Sequence, residues 1–311
     1  MAGKLIDGVW TNENAQLASK DGRYRRPETD FRNWISKDED AKFKAEAGRY
    51  HLYVSFACPW AHRTLIMRSL KGLEEAITVS AVQPILGDNG WEFIPGDDAF
   101  ADPLFNKQFL HEIYTRADQA YTGRVSVPVL WDKKLNTIVS NESAEIIRML
   151  NSEFDGIAKN DNDFAPEALL GEIDEVNDLV YSQINNGVYR CGFAGNQEAY
   201  EEAVNALFTA LDAMEKRLEP TGFLVGDSLT EADIRLFTTL IRFDQVYVGL
   251  FKCNLRRIAD YPNLSALARR IYGMDAVRRT VRLDQIKQHY WSSLRALNPS
   301  GIVPVGPEFT L

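Results

Sequence analysis

Cys58-Pro59-Trp60-Ala61 is the stretch of this sequence best placed to do chemistry. Its thiol stands where a short apolar run, Tyr50-His51-Leu52-Tyr53-Val54, gives way to helical spacing of Ala61, Leu65, Ile66, Leu70 and Leu73. A strand-to-helix corner is therefore expected at Cys58. At a helix start, sulfur meets unpaired N–H groups and the positive end of the helix dipole; both favour the thiolate, the form that attacks sulfur. The bland alternative is a small buried hydrophobe, the commoner fate of a free cysteine. The corner position and the following proline favour the nucleophile. Three residues on, where a dithiol oxidoreductase keeps its second cysteine, stands Ala61. A mixed disulfide on Cys58 thus has no resolving partner in its own motif, and an external thiol must release it. Cys58 and His62 have no further metal-ligating residue nearby in sequence, so no metal site is expected, and His62 is read as a helix-surface residue.

Two further segments could bind rather than react. Val127-Pro128 at a strand start is either a rigid structural feature or a cis peptide that presents Val127 to an extended peptide ligand. Glu142-Ser143 precedes the helical run Ala144-Glu145-Ile146-Ile147-Arg148-Met149-Leu150, with Ser143 a candidate N-cap. The same groups could instead receive a carboxylate and an ammonium, the amino-acid end of a γ-glutamyl ligand.

These residues must be held by a strand-helix-strand unit, closed by a second strand over residues 77–82. Residues 84–123 are dense in Gly and Pro and read as a long irregular insertion with a short helix near 104–114. Residues 125–131 read as a strand, 132–136 as a hairpin turn and 137–139 as its return. Before all this, residues 3–48 are polar and turn-rich, with Trp10, Phe31 and Trp34 spaced through them, as in an extension laid over a fold. After about residue 160 strand patterns give way to helical ones. Thr230-Glu231-Ala232-Asp233 resembles a capping box, and Pro262 suits a first helical turn. The division expected is 1–48, 49–160 and 161–311.

With 45% hydrophobic and 25% charged residues, the composition is that of a folded globular protein, and no apolar run reaches the length of a membrane helix. A net charge of −9 argues against a nucleic-acid surface. Three scattered cysteines, Cys58, Cys191 and Cys253, fit free thiols in a reducing compartment, and the start of the chain lacks a secretory signal; a cytoplasmic address is expected. Glutathione is the abundant external thiol there.

Ser55-Phe56-Ala57-Cys58-Pro59-Trp60-Ala61-His62-Arg63, Val127-Pro128 and Asn141-Glu142-Ser143 together resemble the thioredoxin-like half of the glutathione transferase superfamily. The extension around Phe31-Arg32-Asn33-Trp34-Ile35, the insertion, Asn185-Asn186-Gly187-Val188-Tyr189, Arg242-Phe243-Asp244-Gln245-Val246-Tyr247, and His289-Tyr290-Trp291 are similar to its xi class, the glutathionyl-hydroquinone reductases. The resemblance implies a thioredoxin-like N-terminal domain followed by an all-helical domain, with Cys58 as the nucleophile. It implies that Trp91, Arg124, Val127, Pro128, Glu142 and Ser143 hold glutathione. Tyr189 would move a proton near the quinol, and Tyr247 and Tyr290 would donate hydrogen bonds to sulfur. Residue by residue, each tyrosine reads as a core aromatic with a satisfied hydroxyl. Cys191 and Cys253 read as structural. The implied co-substrate is glutathione with no tightly bound cofactor, the implied partners are small molecules rather than nucleic acid or membrane, and a homodimer is expected. A thioltransferase or dehydroascorbate reductase acting through the same thiol, and a non-catalytic scaffold, are the alternatives; neither Cys58 nor the Glu142-Ser143 pair that a scaffold would lose is missing.

Overall fold

The computed structural model describes residues 3–12 and 19–308, so the first two residues of the expected extension, and its residues 13–18, lie outside the described part. Backbone contacts divide the chain into two compact units. One comprises residues 1–15, 28–162 and 280–301; the other comprises 16–27, 163–279 and 302–311.

The first unit opens with a hairpin, β1 (Lys4–Ile6) and β2 (Val9–Thr11), that the polar reading of the extension missed. Asp7 and Gly8 take φ of +48° and +78° between the strands, the two-residue turn whose twist suits a hairpin. Then come β3 (Tyr50–Val54), α1 (Pro59–Leu70), β4 (Ile77–Ala81), α2 (Leu110–Ala117), β5 (Gly123–Arg124), β6 (Val129–Asp132), β7 (Thr137–Ser140) and α3 (Ser143–Ser152). The main sheet has the order β4-β3-β6-β7, with β3 parallel to β4 and antiparallel to β6. β3 is buried throughout, His51 included, so its sequence does not alternate between polar and apolar faces. α1 and α3 pack on one another.

Three boundaries differ from expectation. α1 stops at Leu70, because Leu73 N–H bonds to Arg68 O (2.9 Å) and Gly72 N–H to Ser69 O (3.1 Å). Gly72 takes φ +66°, the left-handed residue of this Schellman ending, and Leu73 lies beyond it. The insertion's helix lies six residues later than expected at its start, where Glu112 accepts from the N–H groups of Phe109 (3.0 Å) and Gln108 (3.1 Å) and so fixes the first turn of α2. The strand expected from residue 125 begins at Val129; Gly123 and Arg124 pair instead with Leu5 and Lys4 of the hairpin. The extension also covers the free edge of β7: Asn33 N–H bonds to Val139 O (3.0 Å) and Asn141 N–H to Phe31 O (3.1 Å).

The second unit is helical: α4 (Leu170–Leu179), a π-helical turn Val180–Asn185, α5 (Gly187–Gly192), α6 (Gln197–Arg217), α7 (Glu231–Arg242), a second π turn Phe243–Tyr247, α8 (Val248–Leu250), α9 (Pro262–Gly273) and α10 (Asp275–Arg278). α7 is buried along its whole length and is the centre of this unit. The expected capping box is present: Asp233 accepts from Thr230 N–H at 2.9 Å, and its other oxygen takes Leu224 N–H at 2.8 Å. Pro262 occupies the first turn of α9, as its fixed φ allows. α11 (Leu283–Ser293) returns to the first unit.

Candidate active site

Cys58 is the N-cap of α1. Its extended backbone (φ −75°, ψ 124°) leads into Pro59, which needs no N–H partner, and its carbonyl accepts the first helical bond from His62 N–H (3.0 Å). The thiol is half-buried, whereas Cys191 and Cys253 are buried. Sγ lies 3.6 Å from the Val127 carbonyl, to which the protonated thiol donates. A carbonyl favours the protonated form; the helix N-terminus favours the thiolate. Ala61, in the resolving position, is buried.

His62 is not on the surface. It is 0% exposed, with Nε2 2.9 Å from Thr280 Oγ1, so it ties α1 to the segment that leads into α11. Helical spacing alone misplaced it, because α1 is covered on more than one face: ten of its twelve residues are buried.

The residues expected to bind glutathione all belong to the first unit; of them, Val127 meets the Cys58 sulfur and Ser143 faces Arg63 of α1. Val127-Pro128 is cis. Glu142, rather than Ser143, is the N-cap of α3: its carboxylate accepts from Ala144 N–H at 3.0 Å and from Thr29 Oγ1 at 3.3 Å. Ser143 is already the first helical residue, so the capping position, and with it the Ala144 N–H, falls to Glu142. Ser143 Oγ instead faces the buried Arg63 guanidinium at 3.5 Å. Trp91 is buried with its ring stacked on His289 (centroids 5.0 Å, 19°). His289 Nδ1 lies 2.7 Å from Pro84 O and must carry the proton there, which fixes its tautomer. Arg124 pairs with Lys4 across β5 and β1, so two cations are neighbours on an acidic protein. Tyr290 belongs to the same unit, on α11, which is held by His289 and by Leu86 N–H to Ser293 Oγ (2.9 Å).

Tyr189 and Tyr247 belong to the helical unit. Their rings lie 6.2 Å apart, and Phe251 packs on both, at 5.6 Å from Tyr189 and 5.3 Å from Tyr247. Sequence reasoning missed Arg26, whose guanidinium carbon sits 5.0 Å above the Tyr189 ring. It missed Arg63 and His289 as supporting groups as well. Arg63 and His289 stood inside the quoted motifs; Arg26 carried no local signal, because its partners lie 160 residues away.

Residues 57–153 match the glutathione S-transferase N-terminal domain and residues 197–270 the C-terminal domain. The chain is 54% identical over 305 residues to glutathionyl-hydroquinone reductase PcpF of Sphingobium chlorophenolicum, covering 98% of this chain and 96% of the relative. It is 51% identical over 315 residues to glutathionyl-hydroquinone reductase YqjG of Escherichia coli, covering 98% and 95%. The glutathione-bound structure of YqjG superposes with a TM-score of 0.89 at 50% identity over 99% of this chain and 96% of that one. The glutathione S-transferase Xi of Phanerochaete chrysosporium gives 0.90 at 52% identity, over 94% and 95%.

Proposed function

Because this chain belongs to the glutathione S-transferase family, with a thioredoxin-like half and a helical half, we propose that it reduces glutathionyl-hydroquinones to hydroquinones at the expense of glutathione. The observation that carries the mechanism is a half-buried thiol, Cys58, capping α1 with Ala61 where a resolving cysteine would stand.

In this proposal the glutathionyl part of the substrate is bound by Trp91, Arg124, Val127, Pro128, Glu142 and Ser143. Glu142 takes the γ-glutamyl ammonium, and Ser143, through its N–H and hydroxyl at the start of α3, takes its carboxylate; Arg124 and Lys4 supply positive charge. The ring is handled by residues of the 161–311 segment. Cys58 thiolate attacks the glutathionyl sulfur, the sulfur–ring carbon bond breaks, and its electron pair leaves with the ring. Departure as a bare carbanion is costly, so the ring first tautomerises: a hydroxyl loses its proton, the sulfur-bearing carbon gains one from Tyr189, and the leaving group becomes a phenolate. Tyr247 and Tyr290 donate hydrogen bonds to the Cys58 sulfur and offset the opposing Val127 carbonyl. A second glutathione thiolate then attacks Cys58–S–SG, giving glutathione disulfide and the free thiolate. Glutathione is a co-substrate, and the residues use no other cofactor. The relatives' names, both glutathionyl-hydroquinone reductases, support this substrate over a simple mixed disulfide. We also propose a homodimer in solution, to be tested by light scattering.

The deciding experiment compares turnover of a glutathionyl-hydroquinone with that of a small mixed disulfide by wild type and Cys58→Ser. The reading expects preference for the hydroquinone conjugate and loss of both activities in the variant. Preference for the disulfide would move the chain to a thioltransferase; full activity in the variant would remove Cys58 from the mechanism.

A further inference from the structure

Arg26 lies in the part of the extension that groups with the helical unit, and that segment is anchored rather than loosely draped. Gly195 N–H bonds to Gly22 O at 2.8 Å and Arg23 pairs with Glu202 at 2.6 Å. Gly22 takes φ +80°, and a Cβ there would meet the Asn196 amide at 2.3 Å, so only glycine lets the chain pass so close. Two residues on, Tyr24 is buried, 5.3 Å from Phe193 and 6.3 Å from Tyr189. These contacts deliver Arg26 to one place: Nε donates to Asn186 Oδ1 at 2.8 Å, with the guanidinium over the Tyr189 ring.

Asn186 is itself fixed. Its backbone N–H and its Nδ2 both reach Tyr181 O, at 3.0 and 3.1 Å. With the amide nitrogen committed to a carbonyl, Oδ1 must face the other way, where it can only accept, and the guanidinium is its donor. Asn186 is the N-cap of α5 and Tyr189 stands three residues on, so the residue that holds Arg26 and the ring beneath it are neighbours. Asn185 Nδ2 bonds Arg235 O (3.1 Å) and Thr239 Oγ1 (2.8 Å), which fixes the turn to the buried α7.

Tyr189 is 9% exposed and packed among Phe193, Phe251, Tyr24 and Tyr247. Apolar surroundings make a phenol a poorer acid; a permanent cation on the ring face opposes that by stabilising the phenolate. The titratable and charged groups around the ring include Tyr24 and Arg26 from the extension, Tyr247 from the second π turn, and Arg190 and Cys191 on its own helix. Arg190 is turned to Gln183 Oε1, 2.9 Å away.

We propose that Arg26 is a positioning residue for the hydroquinone step, clamped by Asn186 so that it orients the Tyr189 ring and keeps its hydroxyl a competent proton donor. The inference rests on the role given to Tyr189 above, and assigns the extension a part in catalysis beyond covering a sheet edge.

The test measures glutathionyl-hydroquinone turnover by the full-length protein at saturating glutathione, across roughly pH 6 to 10. Arg26→Gln should lower kcat about threefold to tenfold and move the alkaline limb up by about 0.5 to 1 pH unit, because the phenol loses its cation. Arg26→Lys should recover most of both, and the rate of Cys58 alkylation should not change. Asn186→Ala, which removes this hydrogen bond and keeps the cation, should shift the limb less and in the same direction. It decides the matter should Arg26→Gln fail to fold. An unmoved limb in both Arg26→Gln and Asn186→Ala, or a rise in KM alone, overturns the inference while leaving the Tyr189 role intact. If Tyr189→Phe keeps the wild-type rate and limb, the Tyr189 role fails first, and this inference with it.

Discussion

The corner around Cys58 and the pocket of the helical unit that holds Cys191 and Cys253 place the same side chain in opposite surroundings. Cys58 caps a helix with its sulfur half-buried; Cys253 is 0% exposed, its thiol near the carbonyls of Val188 (4.0 Å) and Phe251 (3.9 Å). Burial pushes the Cys253 thiol well above its usual range, and the neighbouring Cys191 adds to the effect. Residue type alone therefore does not distinguish the three thiols; burial and backbone position do. The thiol proposed to react sits where a helix begins, whereas the buried Cys253 thiol faces the carbonyls of Val188 and Phe251.

That contrast can be broken in several ways. The largest effect should come from Cys58→Ser, with a fall in turnover of at least about 1,000-fold, against a change within about twofold for Cys191→Ala or Cys253→Ala. Steady-state rates on one glutathionyl-hydroquinone would check it, and comparable losses from all three would erase the distinction. In the native protein, iodoacetamide should alkylate Cys58 at least about 100-fold faster than the other two, as read by peptide mapping at short times. An ordinary thiol pKa near about 8.5 for Cys58 in that titration would mean that the Val127 carbonyl outweighs the helix start. Glu142→Gln should raise KM for glutathione about tenfold while α3 stays capped by the amide oxygen, a loss in binding rather than in the thiol's reactivity. An unchanged KM would leave Glu142 a cap and nothing more.

The smallest effect concerns the two units as wholes. Burial holds the His51 imidazole down at about 3, whereas its ordinary value is 6.5. As pH falls through about 6.5 the unfolded chain binds a proton that folded His51 refuses, so the first unit loses stability. Burial raises the Asp233 carboxyl from 3.8 to about 6 against its hydrogen bonds. The folded state then binds the extra proton: the stability is present at low pH and lost as pH rises through about 6. From pH 7 to 5 the first unit should lose about 2 kcal/mol and the helical unit gain about 1 kcal/mol. Native-state hydrogen exchange of β3 and α7 amides would follow each, and parallel trends would contradict the assignment.

Much of the fold was legible because its parts are local. Tyr50–Val54 coincides with β3, Thr230 and Asp233 form their box, and Pro262 opens α9. The hairpin at Asp7-Gly8 was equally local, a two-residue turn between apolar-bearing strands, and was overlooked inside a polar segment. His62 and the Arg26–Tyr189 stack were beyond reach for another reason: the first is covered by Thr280, 218 positions on, and the second depends on a segment crossing to a helix 160 positions away. Composition and periodicity report a residue's own element, not what the chain later lays over it. Glu142 shows the intermediate case, in which the right pair of residues was found and the capping role fell to the longer side chain.

Intact-mass spectrometry of the protein mixed with glutathionyl-hydroquinone in the absence of free glutathione tests the mixed disulfide most directly. The account predicts a single glutathionyl adduct, mapped to Cys58, that disappears on adding glutathione as glutathione disulfide forms. Free hydroquinone released with no adduct, or an adduct on Cys191 or Cys253, would contradict it.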